Sequence, residues 1–168
     1  MKKILIVAGS MFVIVGLLYI KIMNTNISNQ IINYIDENGM DNNSCIFSMN
    51  DITRFEWDRM LIYQVGSSNI EISDALNVEY KDSVDLVSGI IFVKDSNIVY
   101  QEKIPYNPEK PDKLSLYVGS IFGEDNYATF TPSNAFFKGV KSVGTENVYY
   151  QIRPVNDSNN YGSLKSRE

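Results

Sequence analysis

The chain has 168 residues, 44% hydrophobic and 21% charged, proportions of a globular protein that argue against wholesale disorder. It contains no histidine and a single cysteine, which removes the usual neutral-pH general base, the commonest transition-metal ligand and any intramolecular disulfide. Its net charge of −5 is uneven: Lys2, Lys3 and Lys21 stand without an acid in residues 1–22, while residues 23–168 hold 12 basic and 20 acidic side chains, a balance of −8 that disfavours nucleic acid as a partner.

The first element is apolar. Ile4–Ile20 runs without a charge, and as a helix seventeen residues reach roughly 26 Å, enough to cross a bilayer with Lys21 snorkelling. A cleaved signal peptide shares this layout but wants small residues before the cut. Leu17-Leu18-Tyr19-Ile20-Lys21-Ile22 supplies none, and Cys45 stands too far on for a lipoprotein signal. The expectation is an uncleaved single-pass anchor. Two lysines before the segment against one after it place the N-terminus in the cytoplasm and the rest outside; cleavage would make the same domain secreted.

In residues 24–39, Ile27, Ile31, Tyr34 and Ile35 recur at helical spacing, and the stripe predicts an amphipathic helix docked on the domain, with Gly39 as a left-handed cap. A stalk continuing the membrane helix is the alternative. Asp41-Asn42-Asn43-Ser44 is turn chemistry. Cys45–Met49 and Trp57–Gln64 read as a pair of strands, the second with mixed apolar faces that place it inside a sheet. Ser68-Asn69-Ile70-Glu71 has capping-box form and opens a short helix ending near Asn77. Gly89–Val93 and Ile98–Tyr100 bracket the polar turn Lys94-Asp95-Ser96-Asn97 as a hairpin. Pro105, Pro108 and Pro111 mark a surface loop. Leu114–Val118, Tyr127–Thr131, Ala135–Gly139 and Val148–Arg153 supply further strands, and a polar tail follows Pro154. The pattern predicts an α+β fold, a transmembrane helix followed by a largely antiparallel sheet domain with two short helices, divided into a membrane anchor at 1–23, a linker and amphipathic helix at 24–44, an extracytoplasmic α+β domain at 45–155 and a flexible polar tail at 156–168.

Few residues carry chemistry. Glu56 and Asp58 flank Trp57 and would share a strand face, a carboxylate pair beside an indole as in carbohydrate sites; the plainer reading puts Trp57 in the core and both acids in water. Asp74, Glu79, Asp82 and Asp85 lack the spacing of a calcium loop. Gly119-Ser120-Ile121-Phe122-Gly123 misplaces the serine for a nucleophile elbow. Cys45 reads as an inert thiol, and no nucleotide or zinc motif supports a cofactor. The Pro-Tyr loop, with Tyr106, Pro108 and Pro111, is the best partner surface, because an extended proline-rich segment is ordered in advance.

Thr53-Arg54-Phe55-Glu56-Trp57-Asp58-Arg59-Met60-Leu61-Ile62-Tyr63 resembles the F-x-W-D-hydrophobic block of small membrane-anchored envelope proteins of low-GC Gram-positive bacteria. Ser88–Val93 and Ile98–Tyr100 are similar to that group's hairpin, so the resemblance covers about residues 45–153. It implies envelope location and architecture, and carries over no functional residue. The expected role is a non-catalytic binding module for an envelope or external protein, of immunity or inhibitor type, with a cell-wall-directed hydrolase using Glu56 and Asp58 as the alternative.

Overall fold

The computed structural model describes residues 26–39, 43–109, 113–118, 126–145 and 147–155. The apolar segment Ile4–Ile20, Pro111, the Gly119–Gly123 stretch and the polar tail lie outside the described residues.

Helix α1 (Ile27–Asn38) opens at Asn26, whose backbone is extended (φ −63°, ψ 157°) and whose side chain accepts the Asn29 N–H at 3.0 Å. This N-cap satisfies an orphan donor and starts the helix afresh; no helix runs unbroken through Asn26. Ile27, Ile31 and Ile35 bury the expected stripe in the domain core, so this apolar face is spent on the domain and not on a stalk. Gly39 corrects the expectation of a left-handed cap: its φ is −69°, and its N–H donates to the Ile35 carbonyl at 2.8 Å. Glycine suits the position because a Cβ would stand 2.7 Å from that carbonyl oxygen.

The strands are β1 (Ser44–Ser48), β2 (Arg59–Tyr63), β3 (Val87–Lys94), β4 (Asn97–Pro105), β5 (Leu114–Leu116), β6 (Tyr127–Phe130), β7 (Phe136–Val143) and β8 (Val148–Pro154). They form two four-stranded sheets, ordered β1-β7-β8-β5 and β4-β3-β2-β6. All pairs are antiparallel except β5–β8, which is parallel. The α+β class and the antiparallel bias therefore stand, with two sheets in place of one.

The expected pairing of the first two strands is wrong: β1 pairs with β7 and β2 sits between β3 and β6. A one-turn helix, α2 (Met49–Ile52), separates them. Ser48 and Asp51 cap it reciprocally, and it carries the chain from one sheet to the other. The second strand starts at Arg59, so Glu56 and Asp58 are not on a strand.

Helix α3 (Asn69–Leu76) has the expected capping box, Ser68 with Glu71, and ends on Asn77 in the left-handed region at φ 52°. The Arg59 guanidinium donates to the Leu76 carbonyl at its C-terminal end, where a cation meets the negative pole of the helix. The described residues thus hold three helices, one more than the two expected. The hairpin β3–β4 turns through Asp95 (φ 49°) and Ser96 (φ 62°), the two positive φ angles of a type I′ turn. Pro105 closes β4 opposite Val87; β4 is an edge strand, where a missing N–H costs no ladder bond.

The main core lies between the sheets. Phe47, Phe137, Tyr150 and Ile152 come from the first sheet, Met60, Ile62, Ile90, Phe92 and Phe130 from the second, and the α1 isoleucines join them. Leu61, Tyr63, Ile91 and Val93 point the other way, under Ile72 and Leu76 of α3. Covered on both faces, β2 and β3 read as continuous apolar runs instead of alternating ones.

Candidate binding groove

Helix α1 is held at both ends by different sheets. At its N-terminus the Tyr100 hydroxyl accepts the Ile27 N–H at 3.0 Å and donates to Glu102 Oε2 at 2.7 Å, and Glu102 Oε2 also accepts the Ser28 N–H at 3.2 Å. The carboxylate thereby meets free helix donors and the positive pole together. Farther along, Asp36 receives Lys141 Nζ at 2.7 Å and the Tyr150 hydroxyl at 2.8 and 2.9 Å. The Lys141 ammonium, helped by Tyr150 and opposed by burial, holds the Asp36 carboxyl below the ordinary range, while burial first and then Asp36 push the Tyr150 phenol up. Burial likewise pushes the Tyr100 phenol up, so both tyrosines stay neutral donors.

These two clamps bound a groove of about 1150 Å³. Its first wall is the polar side of α1, with Asn29, Ile32 and Asn33; the second is the end of β4 and the Pro-Tyr loop, with Ile104, Pro105 and Glu109; the third is Asn147 to Tyr150 at the start of β8. The Ser28 hydroxyl is buried in the α1 wall without a partner. Such a surface offers paired amide donors and acceptors with aliphatic patches between them, chemistry that holds a ligand by hydrogen bonds. Its size exceeds most small-molecule clefts, which occupy about 300–1,000 Å³.

The residues singled out in the sequence fall elsewhere or at the margin. The Pro-Tyr loop does contribute a wall, through Pro105 and Glu109. Tyr106 itself is 59% exposed, and its N–H donates to the Leu86 carbonyl at 2.7 Å; Leu86 holds a φ of 51° beside a smaller concavity with Val65 and Val84. Pro108 is exposed. Trp57 is buried, donates to Thr53 Oγ1 at 3.0 Å and packs edge-on against Phe92. The Glu56 side chain is 90% exposed. Asp58 accepts the Asp95 N–H at 2.7 Å and Lys94 Nζ at 2.9 Å, which lower its carboxyl in that order. Neither acid lines the groove. Of the acidic set after α3, Asp82 is taken by Lys103 and Gln101 and Glu79 by Lys81. Cys45 is half-buried, and burial pushes its thiol up.

Sequence reasoning missed Asn29, Asn33 and Asn147. A signal existed for the first two: Asn29 and Asn33 stand four apart on the helix side away from the isoleucine stripe, an amide row where a solvated helix ordinarily carries charge. No protein-family model matches this chain, and no curated protein and no solved structure is measurably similar to it.

Proposed function

We propose that the chain is a membrane-anchored, extracytoplasmic binding module whose groove takes an extended polar segment of an envelope or external protein, without catalysis. The observation that supports this is how two of the three acids among the groove's described residues are used, the third being Glu109. Glu102 is spent capping α1 with Tyr100, and Asp36 is held as an anion by Lys141 and Tyr150. Carboxylates engaged in a helix cap and in an ion pair make poor proton donors, whereas the amides between them are free to pair with a polypeptide. An immunity or inhibitor role is one form of such binding. Membrane attachment rests on the charge-free run Ile4–Ile20; among the described residues no helix is long and apolar enough to cross a membrane.

A photo-reactive benzoylphenylalanine placed at Asn33 in the full chain, in living cells, tests the groove. A discrete adduct from Asn33 and none from the same group at exposed Lys81 is the expected result. Adducts from neither position, or equally from both, would overturn the reading. Protease added outside spheroplasts is expected to remove the domain; full protection would overturn the orientation.

A further inference from the structure

The outer face of the first sheet carries a second feature, which shares Tyr149 with the groove wall. Side chains alternate along each strand, and Phe47, Phe137, Tyr150 and Ile152 fix which face is inward. The opposite face presents Ile46 of β1, Phe136 and Lys138 of β7, and Tyr149, Gln151 and Arg153 of β8. In register, Ile46 stands directly across from Lys138, and Lys138 directly across from Arg153. Two cations therefore occupy opposed positions, where Cβ atoms lie about 5 Å apart and like charges are destabilising.

Nothing among the described residues neutralises them. Lys141, on the inward face, has its ion pair with Asp36, and Lys81, Lys94 and Lys103 have theirs, but neither Lys138 nor Arg153 has one. No strand position sharing their face is acidic. In a domain with 20 acids against 12 bases over residues 23–168, this is a local inversion of charge. It is bordered by large apolar side chains in water: Ile46 is 62% exposed, Phe136 44% and Tyr149 38%. Arginine and aromatic groups set together are the composition of interface centres.

We propose that this face docks an acidic, apolar-flanked segment of another protein, two of whose carboxylates sit on Lys138 and Arg153 while its apolar side chains cover Ile46 and Phe136. Charge complementarity selects that occupant. A second copy of this chain, related by a two-fold axis, would set one cation pair against the other. A phosphate polymer or an anionic bilayer draws its affinity from many cations; here there are two on an otherwise acidic domain. The proposal does not rest on the groove.

The test uses the full chain in phosphatidylcholine nanodiscs and two fluorescein-labelled octapeptides, one alternating Glu and Phe, one alternating Lys and Phe, read by anisotropy. The acidic peptide is expected to bind, the basic one not, and the Lys138→Gln/Arg153→Gln pair to weaken binding at least tenfold. Arg153→Glu is expected to abolish binding while leaving the Tm unchanged or higher, since it converts a repulsive pair into an attractive one; a lower Tm would show that the opposed cations are not the strained element inferred here. Equal binding of both peptides, binding unaffected by the double substitution, or pelleting with phosphatidylglycerol vesicles that depends on Lys138 and Arg153 while the acidic peptide fails to bind, would overturn the proposal.

Discussion

Gly139→Ala tests whether α1 is an integral part of the domain. A Cβ on Gly139 would stand 2.6 Å from both Cγ1 and Cδ1 of Ile35 and 3.3 Å from Phe47 Cε1, well inside the 3.5–4.0 Å of relaxed carbon contacts. Ile35 is almost wholly buried, so it can yield only by moving α1 off the sheet. Overpacking of this kind costs about 1–3 kcal/mol. Ile35→Ala removes both offending carbons and by itself costs about 2–5 kcal/mol through lost burial and the cavity left behind. In that background the added methyl refills space, so Gly139→Ala is expected to be neutral or to stabilise by up to about 1 kcal/mol, aided by the lower entropy of the unfolded chain. The coupling between the two sites is then more than about 1 kcal/mol. Urea unfolding followed by the fluorescence of Trp57, the single tryptophan and buried against Phe92, reports both variants. Additive effects, or a silent Gly139→Ala in the native background, would refute the docking of α1 over β7.

The Asp36 carboxyl is held below its ordinary value of about 3.9, so the stability it contributes is full above that pH and is lost as pH falls through the lower folded value. Asp36→Asn is expected to flatten the acid limb of a urea-midpoint profile below about pH 4, and an unchanged limb would rule out the Lys141 and Tyr150 clamp as its source. Tyr63 and Tyr80 bury hydroxyls that form no hydrogen bond of good geometry and have only a loose contact with each other, their rings tilted 6.5 Å apart. Tyr63→Phe is therefore expected to stabilise by about 1 kcal/mol, since an unpaired buried hydroxyl costs on that order; a loss in the same urea assay would reveal a partner. Ser96→Gly places the residue best suited to a left-handed turn at φ 62° and is expected to add about 1 kcal/mol, readable as a higher urea midpoint with an unchanged slope.

Features settled by neighbouring residues are mostly legible in the sequence, the cap at Gly39 and the start of β2 being exceptions, and those that depend on distant partners are not. The Ser68 and Glu71 capping box, the β3–β4 hairpin and the isoleucine stripe of α1 are each settled within a dozen residues. The partner of β1 is not: Cys45 lies opposite Gly139, and nothing near Cys45 encodes that. The one local clue, Ser48-x-x-Asp51 as a capping box, marks the short helix that breaks the apparent β1–β2 hairpin. The Trp57 block drew notice as chemistry because an indole between two acids is conspicuous in sequence, yet its indole plugs the core and Asp58 braces the β3–β4 turn. The groove was illegible for the same reason as the pairing. Its walls come from residues near 29, 104 and 148, and no window of sequence contains them together.

The fresh start of α1 at Asn26 limits where the groove can work. Asn26 lies on the groove's own rim, and six residue steps separate it from Ile20, a reach of at most about 20 Å even when fully extended. With Ile4–Ile20 in the bilayer as proposed, the groove has a ceiling as well as a floor: its Asn26 rim stays within that height of the lipid. A bulky external protein would have to lower a strand or a terminus into this layer, whereas a neighbour embedded in the same membrane would find the groove already level with its first exposed loop.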